Sequence, residues 1–340
     1  MSKDLFVDKN PTLETSWRSI ILLGRNVASY KFALAKSLLE IDSNNSEIEL
    51  EKLAMPFAKN ICEHLDKNEK QITSSSSKFL DACKRFNNSQ INEDELKNIT
   101  VRMGFNNVID AFHIVSREET TRFFTDNRTN NKSIILTDDF YKLKEKDIYK
   151  NLKNEAESRW NLWETAISLN VNPTLLQIIN DEDQECLYVL DENKKRKDVT
   201  SSRDALNGYQ KGKCFYCYKN ISIDRGNDNS CDVDHFFPHL LKNYGFLEVD
   251  QIWNLVLSCQ DCNRGSQGKF ERIPDIKYLY ALSKRNNYYI ESHHPLRETI
   301  INQTGKSQED RRNFLQKMYD LSIDHIPVKW KPNDLYGDPL

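Results

Sequence analysis

No apolar run in the chain approaches the eighteen or so residues that a membrane-spanning helix needs, so no such span is expected. The opening residues, MSKDLFVDKNPTLE, lack a basic stretch followed by an apolar one. A secretory signal is therefore not expected, and the cytoplasm is the expected compartment. Excess charge of one sign is also missing. The formal net charge is −3 over 340 residues, which excludes a global positive field that would hold nucleic acid by bulk attraction. A local groove can still be basic within such a balance. There is no internal repeat, and the Thr73–Ser77 tract reads as a loop or cap. Eight cysteines occur without a signal segment in a long chain, which argues against a disulfide framework.

Charged residues make up 29% and mean hydropathy is −0.70, as in a soluble protein rich in surface helix. The length allows about two domains. Apolar residues recur at helical spacing over Trp17–Ile41, Leu50–Leu65 (broken or kinked near Pro56), Lys78–Phe86, Glu93–Met103, Val108–Phe124 and Tyr149–Leu169. These stripes read as the core of a bundle rather than a ligand cleft. Leu187–Leu190 reads as a strand. The run Lys194-Lys195-Arg196-Lys197 after it reads as a solvated turn, with phosphate contact as the alternative.

Near residue 200 the texture changes. Ser201 and Asp204 form a capping-box pattern opening a short helix through Tyr209. The expected layout is a helical domain over 1–200, a small α+β unit over 201–275, and a helical extension over 276–340 packed on that unit. The whole is mostly α. In the extension, Leu279–Arg285 and Arg311–Met318 read as helices. The His293-His294 pair between them suits packing or DNA contact better than metal binding, because adjacent side chains diverge.

Four cysteines form two pairs with metal-ligand spacing, Cys214-Phe-Tyr-Cys217 and Cys259-Gln-Asp-Cys262. Each pair makes a tight knuckle, and two knuckles complete a tetrahedral zinc site with no open position. Such a zinc is structural and staples distant segments together. Cys62, Cys83, Cys186 and Cys231 are scattered and read as small buried residues. Between the knuckles lies CDVDHFFPHL, Cys231–Leu240. Asp232 and Asp234 share one face of a strand, and like charges so placed repel unless a cation or proton lies between them. Then come a strand over Ile252–Ser258 and, at Asn263 and Arg264, the expected start of a helix.

The blocks DVDHFFP, WNLVLSC and CQDCNRG, in this order and spacing, resemble the HNH endonuclease family in its zinc-stabilised form. They are also similar to the HNH domain of RNA-guided CRISPR nucleases, which generally lacks the knuckles. The third block has asparagine in place of histidine, an H-N-N variant. The resemblance implies a ββα-metal fold over about residues 205–275 and phosphodiester hydrolysis, with DNA as the expected substrate. It further implies that Asn254 orients the histidine and its loop. A free-standing bacterial protein of this kind suggests restriction or antiviral defence.

The residues support compatible roles. Asp234 and Asn263 offer the oxygen ligands that Mg2+ or Mn2+ prefers. His235 faces across the strand and suits a general base, with direct metal ligation as the competing role. Asp232 and His239 are candidates for a water-mediated ligand or a substrate contact. Arg264, Lys269 and Arg272 are candidate phosphate contacts. A catalytically silent, zinc-stapled nucleic-acid-binding or adaptor module and an RNA-directed nuclease are the alternatives. The helical domain carries no motif and leaves homo-oligomerisation or docking of a partner protein open.

Overall fold

The structure, a computed structural model, describes residues 11–23, 29–41, 45–71, 77–115, 118–146, 149–169, 176, 178–181, 186–190, 196–198, 205–223 and 229–337. It is mostly helical, with several small sheets. Among the described residues no helix is long and apolar enough to cross a membrane.

The N-terminal half departs from its expected helices in two places. Trp17–Ile41 is divided between helices Leu13–Leu23 and Tyr30–Glu40. Among the described residues of Val108–Phe124, the helix is confined to Val108–Ala111. Beyond it the chain turns into the two-residue strands Ile114–Val115 and Glu118–Glu119, then strand Phe124–Asn127. Thr120, Thr121 and Thr125 favour extended backbone here, and the last strand pairs with Ser133–Leu136. Helix Leu50–Lys67 runs through Pro56, and Asn60 Nδ2 donates to the Pro56 carbonyl at 2.9 Å.

Two hydrophobic cores meet along helix Tyr149–Leu169. Trp160 and Trp163 pack into the first, which begins at Trp17. Leu162 and Ala166 pack into the second, which extends to Trp330. The division between the cores thus runs through this helix, upstream of residue 200. A buried ion pair bridges them. Arg18 Nε donates to Glu155 Oε2 at 2.6 Å, and its third guanidinium nitrogen donates to the Tyr288 hydroxyl at 3.1 Å. Removing one partner of such a pair leaves a buried charge uncompensated. The proposed capping residues Ser201 and Asp204 lie outside the described residues, as do Lys194 and Lys195 of the basic run.

The second core holds an antiparallel ribbon, Cys231–His235 against Leu255–Cys259, with His235 opposite Leu255 and Cys231 opposite Cys259. A buried glutamine caps the ribbon's outer edge. Gln210 Nε2 donates to Leu257 O at 2.7 Å, and its Oε1 accepts from Leu257 N at 2.9 Å. Ile252–Asn254 is one tight helical turn rather than part of the strand. The Asn254 side chain is bonded to backbone on either side and keeps the segment out of the ladder. Asn263 and Arg264 close the following helix, Gln260–Arg264, instead of starting one. The helix starts at the second cysteine knuckle and stops at Gly265. Helices Ile276–Glu291, Arg297–Thr304 and Gln308–His325 contribute to the same core. Arg285, wholly buried, donates to the carbonyls of Trp253 and Leu255 and ties the ribbon to this helical layer. His294 is also wholly buried and stacks on Tyr289 at 4.2 Å, so the paired-histidine segment packs.

Candidate metal and nuclease centre

The first knuckle turns at Tyr218, whose φ is +64°, and Phe215 N–H donates to Leu257 O at 2.9 Å. This bond brings Cys214 and Cys217 beside the end of the second ribbon strand, where Cys259 and Cys262 begin their helix. The four thiols lie within 4.8 Å of one another and are all buried. Cys217 Sγ and Cys259 Sγ are 3.7 Å apart. A tetrahedron with metal–sulfur bonds of about 2.3 Å has edges of about 3.8 Å. The donor set and its spacing therefore fit zinc, and four thiolates leave no place for a reacting molecule. Cys231, opposite Cys259 in the ribbon, stays outside the cluster.

The two acids of DVDH face the Gln260–Arg264 helix and the loop after it. Each has a cation of the protein beside it. Asp234 Oδ1 lies 3.2 Å from Lys269 Nζ, and its Oδ2 accepts the Tyr216 hydroxyl at 2.6 Å. Asp232 Oδ2 accepts Asn263 Nδ2 at 3.0 Å and lies 3.1 Å from Arg264 Nε. The like charges are thus compensated within the fold by Lys269 and Arg264, without an ion or proton shared between them. Burial raises the Asp234 pKa, opposed by Lys269 and Tyr216. Lys269 is 1% exposed and is corrected from a phosphate contact to the buried partner of Asp234. Arg264 remains exposed at the rim. Gly265 and Gly268 permit the tight loop: a Cβ at Gly268 would meet the Asn263 carbonyl oxygen at 2.8 Å.

His235 turns toward the loop between the ribbon strands rather than toward the Gln260–Arg264 helix. Its Nε2 lies 3.3 Å from Asp250 Oδ1, which is also 2.8 Å from His239 Nδ1. Lys242 Nζ donates to Asp250 Oδ2 at 2.5 Å. Burial raises the Asp250 pKa, but the bonds from His235 and Lys242 outweigh it and hold this carboxyl below the usual carboxylate range. Asp250 is the residue that the sequence reading missed. It closes the helical turn Leu247–Asp250, and its only sequence signal is an acid just ahead of the WNLVL block. His239, expected as a substrate or water contact, uses Nδ1 on this carboxylate.

Asn254 is wholly buried and binds no charged group. Its Oδ1 accepts Phe237 N–H at 2.8 Å, and its Nδ2 donates to Phe237 O at 2.9 Å and Val249 O at 2.7 Å. It clasps the chain just after His235 to the chain just before the second strand. Asp232, Asp234, His235, His239, Asn263 and Arg264 then line one groove of about 1170 Å³. In donor type the groove fits a hard divalent cation: carboxylate oxygens accept more than one partner each, and Asn263 adds an amide oxygen.

A two-stranded ribbon and short helix, clamped by four cysteines and carrying Asp-His at the end of its first strand, form a ββα unit. Residues 214–274 match the family model of the HNH endonucleases, and the chain carries an HNH endonuclease domain there. No curated protein and no solved structure matches the chain.

Proposed function

We propose that this protein is a metal-dependent endonuclease that hydrolyses phosphodiester bonds in DNA. The observation that carries this reading is the groove itself, where His235, Asp234, Asn263 and Arg264 meet within a segment matching the HNH family. Asp234 and Asn263 would hold a magnesium or manganese ion, which when bound stabilises charge at the scissile phosphate and leaving oxygen. His235 directs Nε2 at Asp250 and takes the proton of the attacking water at Nδ1. Arg264, exposed beside Asp232, meets the phosphate backbone. Asn254 keeps the His235 segment in register. Zinc at the four cysteines holds the ribbon and helix together without taking part in the reaction.

The pairing of Lys269 with Asp234 favours a second reading, a silent nucleic-acid-binding module whose cation site is filled by a lysine. Incubation with plasmid, single-stranded DNA and RNA, each with Mg2+, Mn2+ or EDTA, separates the readings. Cleavage of DNA with either ion but not with EDTA is expected. Binding without cleavage under every condition would favour the silent module, and cleavage confined to RNA would move the substrate.

A further inference from the structure

The loop after the Gln260–Arg264 helix holds a side chain for which hydrolysis has no use. Phe270 is 52% exposed and lines the groove beside Asn263 and Arg264. Its backbone is left-handed, with φ +47°. For a bulky residue that conformation is a strained outlier and persists only where the surroundings fix it. Here they do. Lys269 N–H donates to Cys262 O at 2.6 Å, Phe270 N–H to Asn263 O at 3.0 Å, and Arg272 N–H to Lys269 O at 3.0 Å. Lys269 Nζ donates to the carbonyl of Phe270 itself at 3.0 Å. Trp330 Nε1 pins the same loop through Gln267 O at 2.8 Å.

Tyr218 is also left-handed, but its ring is 7% exposed, so burial offsets the strain. Phe270 has little such compensation. The loop instead holds an apolar ring in water, one backbone hydrogen bond away from Asn263. Val328, itself 54% exposed, lines the groove too, together with the cationic Arg264 and Arg272. An occupant with a flat apolar face and an anionic edge suits these walls, and a nucleotide has both. Aromatic rings stack on any base, whatever the sequence.

We propose that Phe270 is a base-stacking residue whose ring packs on a nucleobase next to the phosphate presented to His235. This rests on the nuclease reading above and adds how the strand is registered in the groove. The test uses the full chain in EDTA, with a single-stranded DNA oligonucleotide, its duplex and the matching RNA, read by fluorescence anisotropy. Phe270→Ala should weaken binding of the single strand by about 10- to 100-fold, the usual worth of one stacked base. Thermal unfolding should be unchanged, because the ring is half exposed. Phe270→Leu, which keeps apolar bulk without a flat face, should bind as weakly. Phe270→Trp should keep wild-type affinity, and oligonucleotide should quench its emission. That signal is readable because the five native tryptophans are each at most 4% exposed.

Binding by Phe270→Ala or Phe270→Leu within twofold of wild type would overturn the stacking role alone. So would an unmoved tryptophan emission at saturating oligonucleotide. Failure of the wild-type chain to bind any of the three nucleic acids, both in EDTA and with Ca2+ in its place, would overturn the nuclease reading and this inference with it.

Discussion

His235 and Asp250 face each other across the loop joining the ribbon strands, imidazole Nε2 to carboxylate Oδ1 at 3.3 Å. A carboxylate behind an imidazole fixes the ring's orientation and stabilises it when it gains a proton. Asp250 is itself fixed by His239 and Lys242, so it cannot turn away without breaking both contacts. Asp250→Asn should lower turnover by about 10- to 100-fold with KM little changed, as for other residues that orient a reacting group. Wild-type turnover in plasmid-nicking kinetics would remove Asp250 from that role.

Three of these four residues permit a different use. Donor atoms of His235, His239 and Asp250 lie within 4.8 Å of one another, close enough to share a cation. If His235 is the general base proposed above, His235→Ala should lose about a hundred- to ten-thousand-fold in rate. Added imidazole should restore part of it, while excess Mn2+ should not. Rescue by Mn2+ alone would make His235 a ligand.

The four-cysteine cluster and the ββα unit were legible in the sequence because their signals are local. Cysteine spacing, the alternation of DVDH and the proximity of Asn263 to Cys262 all act within a few residues. Contacts set by long loops were not legible. Lys269 reads as a surface cation until the Gly265–Gly268 turn folds it under Asp234. Asp250 depends on the path of the 236–254 loop. In the helical half, apolar spacing over Val108–Phe124 suggested a helix, but the buried Phe123 and Phe124 are consecutive and the threonines beside them prefer extended backbone.

Lys269 and Asp234 form a buried pair, with 1% and 6% of their side chains exposed. Lys269→Ala would leave an uncompensated buried carboxylate, and a loss of about 3–5 kcal/mol is expected. Coupling Lys269→Met to Asp234→Asn should recover much of that loss in urea unfolding, because no charge remains to be neutralised. Asp234→Asn alone and Asn263→Ala should abolish cleavage while leaving bound zinc unchanged. Cleavage at the wild-type rate by either variant in low Mg2+ would remove that residue from the cation site.

Zinc has a separate signature. The purified chain should carry one zinc that mild EDTA does not remove, even where EDTA stops cleavage. Cys217→Ser and Cys262→Ser should reduce soluble yield, because zinc binding at such a site is folding free energy. Soluble, active protein without zinc by elemental analysis would exclude the four-cysteine assignment.

In the first core, His113 makes stability depend on acid. Burial, reinforced by the charge of Arg122, lowers its pKa to about 4, and its Nε2 accepts Phe123 N–H at 3.0 Å. That bond requires the neutral ring. The unfolded chain binds the proton near pH 6.5, so the native state holds fewer protons between the two values. Stability from this group is complete above about pH 6.5, falls as pH drops toward 4, and levels off below it. The shift corresponds to about 3 kcal/mol. Urea midpoints at pH 7, 5.5 and 4 should therefore fall for the wild type. For His113→Gln, whose side-chain oxygen can accept the same N–H, the fall should be shallower by about that amount. Parallel losses in the two proteins would show that His113 is not the group titrating.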